Sequence, residues 1–287
     1  MQTDTLLKPM QLQTNGKSAR QTPVTPWLVR SKSDNEASVR LFCFPYAGGG
    51  SSIYRGWPAQ LPMVELLPVQ LPGRETRLKE SPYTNAPSLV RAMAQALLPY
   101  MDRPFCFFGH SMGALLAFEL AREIRRQYAL SPRHIFVSAG RAPNIARPLA
   151  AIHKLPTNDF IQKLREMNSS LPATFEHAEL VELLLPMLRA DFAICETYEY
   201  TAGEPLDCGI SAFGGLEDTD VKREHMERWR EQSNGEFKLR MLPGNHFFIH
   251  SAQEVLLQIL WRELQHISNR PVGSNRGAVA SNSVCLE

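Results

Sequence analysis

Residues 104–121 read PFCFFGHSMGALLAFELA, and few folds can accommodate them. PFCFFG is a near-continuous apolar run of strand length, whereas MGALLAFELA is made of small and helix-favouring residues. Between the two lies Gly109-His110-Ser111-Met112-Gly113, the G-x-S-x-G spacing. A strand that turns into a helix this abruptly brings the two backbones almost into contact. Any side chain at 109 or 113 would then collide with the neighbouring strand or helix. The turn holds Ser111 in a strained conformation and pushes its hydroxyl into the open at the C-terminal edge of the sheet.

The same alternation runs through the chain. VRLFCF (39–44), LLPVQL (66–71), HIFVSA (134–139), ISAFGG (210–215) and KLRML (238–242) join PFCFFG as buried strands, and their near-continuous apolar character suits a parallel sheet covered on both faces. Helical patterns fall at 88–101, 112–128, 221–232 and 252–266. Strands alternating with helices predict an α/β layered fold. From Arg141 to about Thr201 the sequence shows only helical patterns, such as DFIQKLREM and ELVELLLPMLRADFAICETY. That interval is far longer than a connection needs, and it predicts a helical lid (141–200) inserted over one edge of the sheet.

With 287 residues, 44% of them hydrophobic, the chain can bury the core of one large domain, read here as 39–268. The polar stretches 1–38 and 269–287 are expected to be a flexible leader and a flexible tail, because neither offers enough apolar surface to offset its ordering entropy. A net charge of +2, from 31 basic and 29 acidic residues, argues against nucleic acid or an anionic membrane as the main partner. The five cysteines are odd in number and widely spaced, with no C-x-x-C pair, so neither a disulfide framework nor a zinc site is expected. With no secretory signal, no apolar span of ~18 residues and Cys285 third rather than fourth from the end, the expected location is the cytoplasm.

A serine hydroxyl is a weak nucleophile near neutral pH and needs a base, usually a histidine held by a carboxylate. In a strand–turn–helix frame of this kind the order is serine, acid, histidine. His246, in LPGNHFFIH after the last strand, is the candidate base, whereas His250 and His110 are read as structural or supporting. The acid should follow the strand before last, where LEDTD supplies Glu217, Asp218 and Asp220. Position favours Asp218, with Asp220 as the alternative. Attack on an acyl carbonyl creates an oxyanion that needs two fixed donors. The backbone N–H of Met112 at the helix start is one, and the N–H of Ala47 in FPYAGGGSS (44–52) is the other. That glycine-rich turn is not followed by G-K-[ST], so a phosphate loop is disfavoured.

Taken together, FCFPYAGGG, VQLPGRE, PFCFFGHSMGALLAFELA, FGGLEDTDV and LPGNHFF resemble the type II thioesterases of the α/β-hydrolase superfamily, over about Val39 to His266. The resemblance implies an α/β-hydrolase fold: a mostly parallel central sheet with helices on both faces and an inserted helical lid. It carries the nucleophile onto Ser111, the acid onto Asp218, the base onto His246, and the oxyanion donors onto Ala47 and Met112. It further implies a monomer that hydrolyses acyl groups from the phosphopantetheine arm of acyl or peptidyl carrier protein domains in nonribosomal peptide or polyketide synthases, with no metal and no cofactor of its own. The triad does not by itself separate thioesters from oxygen esters, so a small-molecule carboxylesterase or an acyltransferase stays open. A catalytically dead binding module would lack one of the three residues. An acidic carrier could be attracted by Arg122, Arg125, Arg126 and Arg133, although a solvated helix face is the favoured reading of them.

Overall fold

Strands β1 (Val39–Phe44), β2 (Val64–Pro68), β3 (Phe105–His110), β4 (His134–Ser138), β5 (Gly209–Gly215) and β6 (Phe237–Leu242) form one sheet in the order β2-β1-β3-β4-β5-β6. Every neighbouring pair is parallel. The computed structural model describes residues 24–29, 37–145, 151–167 and 178–269. Most of the expected leader, parts of the lid and nearly all of the expected tail lie outside the described residues.

Strands β1 to β5 are buried on both faces, whereas the edge strand β6 is only half-buried; successive residues feed opposite layers. Phe42, Phe44, Phe105 and Phe107 pack with helices α1 (Ala86–Leu97) and α2 (Met112–Tyr128). Leu41, Cys43, Cys106 and Phe108 instead pack with Leu256, Leu257, Leu260 and Leu264 of α7 (Gln253–Ser268). Helix α2 spans the expected residues. Helix α1 begins two residues earlier than expected, because Asn85 caps it by accepting from the Ser88 N–H at 3.0 Å and Pro87 fits the first turn.

Three expectations meet a different arrangement. Within the 1–38 stretch, residues 24–29 pair with the C-terminal end of β2 and the residues just after it, where the Val29 N–H donates to the Pro68 carbonyl (3.0 Å) and the Gln70 N–H to the Trp27 carbonyl (2.8 Å). Trp27 and Leu28 are buried there, and the Arg77 guanidinium covers the indole at 4.2 Å. The C-terminal end of the sheet's outer edge is thereby covered. Strand β2 runs Val64–Pro68, short of the expected 71, and the strap bridges antiparallel at Val69 just beyond it. The helix expected over 221–232 is instead a short α5 (Arg223–Glu227) followed by a 3-10 turn, Arg228–Gln232. The Asp218 carboxylate holds the backbone N–H groups of Asp220 and Val221, each at 2.9 Å, and keeps the chain in a turn up to that point.

Between β4 and β5 the chain forms α3 (Thr157–Met167) and α4 (Ala178–Glu196), and no strand occurs among the described residues of that interval. Phe160, Leu164, Met187 and Leu188 give these helices a small core of their own. Among the described residues no helix is long and apolar enough to cross a membrane.

Candidate active site

The turn between β3 and α2 has the geometry that its glycines require. Ser111 caps α2 with φ 55° and ψ −114°, a region that costs a non-glycine residue about 1–3 kcal/mol. A Cβ on Gly109 would lie 2.0 Å from the Gly113 carbonyl oxygen, and one on Gly113 would lie 2.0 Å from the Phe44 carbonyl oxygen. The second contact matters for the site because it presses the N-terminus of α2 against the end of β1. The turn after β1, closed by the Gly49 N–H on the Tyr46 carbonyl at 2.9 Å, is therefore adjacent to the serine.

The sheet order brings the three side chains together. The loops after β3, β5 and β6 all open at the C-terminal edge, and β5 and β6 are neighbours. His246 follows β6, with its Nε2 2.9 Å from Ser111 Oγ and its Nδ1 2.8 Å from Asp218 Oδ2. Asp218 follows β5 and its side chain is only 1% exposed, whereas the His246 side chain is 21% exposed and reaches the surface. Burial pushes the Asp218 carboxyl up, but the hydrogen bond from His246 and the two backbone N–H groups outweigh it and hold its pKa below the ordinary value. It therefore stays ionised where an imidazole titrates.

Asp220 and Glu217 do not reach the histidine. Asp220 pairs with Arg141 at 2.7 Å, and Glu217 points to solvent. Spacing left Asp218 and Asp220 close rivals; burial and direction place only Asp218 against the ring. His250 bonds Tyr46 Oη at 2.9 Å instead of the serine.

His110, inside the turn, is fully buried. Burial, and then the neighbouring His246, push its pKa well below the ordinary histidine value, so it is neutral. Its Nε2 lies 2.8 Å from the His246 carbonyl oxygen, which can only accept, so Nε2 carries the proton. Nδ1 then accepts from Ser138 Oγ at 2.9 Å. His110 thus anchors the backbone of the residue whose ring faces Ser111, which gives physical content to the supporting role expected for it.

Met112 opens α2 directly after Ser111, so its N–H has no intrahelical acceptor. Ala47 is half-buried in the turn after β1. Sequence reasoning missed what fixes that turn. Arg74 and Asp191 form a buried bidentate pair, with both N–O distances 2.7 Å, and Asp191 also accepts from the Gly48 N–H at 2.8 Å. An acid inside the apolar pattern of α4 was the available signal.

Ser111 and His246 line a cavity of about 210 Å³ whose walls include Ile152, Met167, Phe192 and Cys195 on the lid side. Arg141, Glu196 and Asp220 add polar groups to the wall. Such a space accommodates an acyl group with its carbonyl at the serine. Among the described residues no cluster of histidine, cysteine and carboxylates suits a metal ion.

The arginine cluster lies elsewhere, along a groove of about 1040 Å³ between α1, α2 and the 197–204 segment. Arg122 donates to the Thr201 carbonyl (2.7 Å), and Arg125 to the Pro205 and Glu204 carbonyls (each 2.6 Å). Arg126 pairs with Glu123 on the same helix. Arg122 and Arg125 thus clamp a returning segment onto α2, whereas Arg126 stays exposed beside Glu123.

The thioesterase domain family model matches residues 39–264. A protein of Brevibacillus parabrevis named linear gramicidin dehydrogenase LgrE is 49% identical over 252 residues, which cover 86% of this chain and 96% of that protein. The solved structure of RedJ, a thioesterase from the prodiginine biosynthetic pathway in Streptomyces coelicolor, superposes with a TM-score of 0.75 at 42% identity, covering 79% of this chain and 91% of RedJ. YbtT, a type II thioesterase from the yersiniabactin NRPS/PKS biosynthetic pathway, superposes with a TM-score of 0.74 at 29% identity, covering 84% of this chain and 99% of YbtT. The α/β-hydrolase architecture, the serine turn and these likenesses agree: the chain is a thioesterase, a member of the thioesterase domain family with type II thioesterases among its structural relatives.

Proposed function

We propose that this protein hydrolyses acyl thioesters carried on the phosphopantetheine arm of acyl or peptidyl carrier domains of a nonribosomal peptide or polyketide synthase, clearing them through an acyl-Ser111 intermediate. The observation that carries the reading is the continuous chain from Ser111 Oγ through the His246 ring to buried Asp218, at 2.9 and 2.8 Å, opening into a partly apolar cavity. The name and pathway of YbtT support the choice of carrier.

The chemistry follows from the protonation states. Asp218 is anionic, so His246 Nδ1 carries a proton and Nε2 is the free base that faces the serine. As Ser111 Oγ attacks the thioester carbon, Nε2 takes its proton, and Asp218 stabilises the imidazolium that forms. The carbonyl electron pair moves onto oxygen, where the N–H groups of Ala47 and Met112 receive it. Collapse expels the thiolate, which leaves with the proton from His246. A water then enters and gives its proton to His246 as it attacks the acyl-serine carbon; collapse releases the free acid, and His246 returns the proton to Ser111 Oγ. Every proton is handled by the imidazole, so the reaction requires neither a metal nor a cofactor.

The dehydrogenase name of the Brevibacillus relative suggests hydride transfer instead. The turn after β1 reads Gly48-Gly49-Gly50-Ser51-Ser52-Ile53, without the third glycine of a dinucleotide fingerprint, and it leads into a 3-10 turn (Ser51–Tyr54) and not into a long helix. That geometry favours hydrolysis.

The test compares free-acid release from an acyl-phosphopantetheinyl carrier protein, the free acyl thioester and an aryl ester, with Ser111→Ala as control. Preference for the loaded carrier, lost in the control, is expected. Faster turnover of the aryl ester would favour a general esterase, and transfer of the acyl group to an acceptor other than water would favour an acyltransferase.

A further inference from the structure

The turn that carries Ala47 is held from outside its own strand. Asp191, on lid helix α4, is buried (1% exposed) and reaches across to accept from the Gly48 N–H at 2.8 Å through Oδ2. The same oxygen accepts from Arg74 Nη1 at 2.7 Å, and Oδ1 accepts from Arg74 Nη2 at 2.7 Å. Arg74, also buried, donates a further bond to the Gly49 carbonyl at 2.9 Å. Leu188, one turn earlier on α4, packs so closely that a Cβ on Gly48 would lie 2.8 Å from its Cδ2. One N–H and one carbonyl of this short turn are therefore committed to a single ion pair, and the Gly49 N–H is committed to Tyr46.

We propose that Asp191 and Arg74 are positioning residues that aim the Ala47 N–H at the developing oxyanion, so that the placement of lid helix α4 sets the competence of the catalytic centre. The inference rests on the reading of Ala47 as an oxyanion donor. The Ala47 N–H shares its rigid peptide plane with the Tyr46 carbonyl, which accepts from the Gly49 N–H, so pinning the Gly48 N–H and the Gly49 carbonyl holds the turn that sets the direction of the Ala47 N–H. A helix of the acyl-binding lid thereby reports its position to the reacting oxygen through one carboxylate. A donor misplaced by a fraction of an ångström loses most of its transition-state stabilisation while binding the ground state nearly as well.

The test uses Asp191→Asn and Arg74→Lys in the full chain, with a short acyl N-acetylcysteamine thioester as substrate and thermal unfolding to verify folding. Complete loss of an oxyanion donor lowers turnover ~10²–10³-fold, and a misaimed one is expected to lower kcat about 10- to 100-fold, with KM within about threefold of the parent. A purely structural role would not produce the second signature: the affinity of an acyl trifluoromethyl ketone should fall in parallel with kcat/KM. That inhibitor forms a bond from Ser111 Oγ to its carbonyl carbon, moves the carbonyl electron pair onto oxygen and so places an oxyanion in the hole. If Asp191→Asn does not fold, Arg74→Lys, which keeps a cation and a donor, carries the test. Folded variants with wild-type kcat, or a fall in kcat without weaker ketone binding, would overturn the proposal. Ser111→Ala run alongside separates the two readings: if it stays active the assignment of the site itself fails, whereas if it is inactive and the Asp191 variant is normal only the positioning role fails.

Discussion

Replacing Asp218 with asparagine tests the tautomer that the mechanism requires. In the protein, Asp218 Oδ1 accepts from the backbone N–H groups of Asp220 and Val221, each at 2.9 Å, and Oδ2 accepts from His246 Nδ1 at 2.8 Å. An asparagine would keep its carbonyl oxygen on the two backbone donors, because turning the amide over would aim its NH2 at both of them. Its NH2 would then face His246 Nδ1. To accept that bond the ring must move its proton to Nε2, the atom 2.9 Å from Ser111 Oγ, where it can no longer take a proton from the serine. The fold should survive, since the shape and the two backbone bonds are retained. Turnover should fall ~10⁴-fold, or about 5.4 kcal/mol of transition-state stabilisation at 1.36 kcal/mol per decade. Initial rates of thiol release from an acyl N-acetylcysteamine thioester at neutral pH measure this, with Asp220→Asn as the parallel control expected to stay within about threefold of wild type. A folded Asp218→Asn enzyme within tenfold of wild type would refute the reasoning, as would a larger loss in Asp220→Asn.

Gly113→Ala places a Cβ 2.0 Å from a backbone oxygen that cannot yield, so it should cost about 2–4 kcal/mol in urea unfolding and most of the activity; wild-type values for both would contradict the packing of the turn. His110 is buried neutral with a depressed pKa, so the unfolded state binds one more proton below its ordinary pKa of ~6.5. Its contribution to stability is therefore full above ~6.5 and declines as pH falls from there towards the depressed folded value, at about 1.4 kcal/mol per pH unit. Urea titrations at several pH values should show a shallower acid decline in His110→Gln, and parallel curves would argue against this assignment. Arg125→Ala removes two hydrogen bonds that clamp Glu204 and Pro205, so it should cost about 1–2 kcal/mol of stability and lower carrier and small-ester turnover equally; a loss confined to the carrier would restore the idea of a docking patch.

Much of the site was legible because its constraints are local. The spacing of Gly109 and Gly113 around Ser111 marks a strand-to-helix turn, and α2 spans Met112–Tyr128 as the residue pattern indicates. His246 was legible from its place after the last strand. Asp218 was only half legible: three acids crowd within four positions, and what separates them is burial, with Asp218 inside and Asp220 drawn away by Arg141. The pair Arg74–Asp191 was not legible, because its partners stand 117 residues apart and nothing local marks an arginine in VQLPGRE as buried. The 24–29 strap was hidden for a related reason. Its polar surroundings read as a leader, and only the open edge of β2 gives Trp27 and Leu28 somewhere to pack.

The central claim is that Ser111, activated by His246, forms the covalent bond to the acyl group. Reaction with a fluorophosphonate, followed by intact-mass and peptide mass spectrometry, tests it most directly. The account predicts one adduct per chain, located on Ser111, with thioesterase activity lost in proportion to labelling and no adduct in Ser111→Ala or His246→Ala. An adduct on another residue, or full activity in a stoichiometrically labelled enzyme, would contradict it.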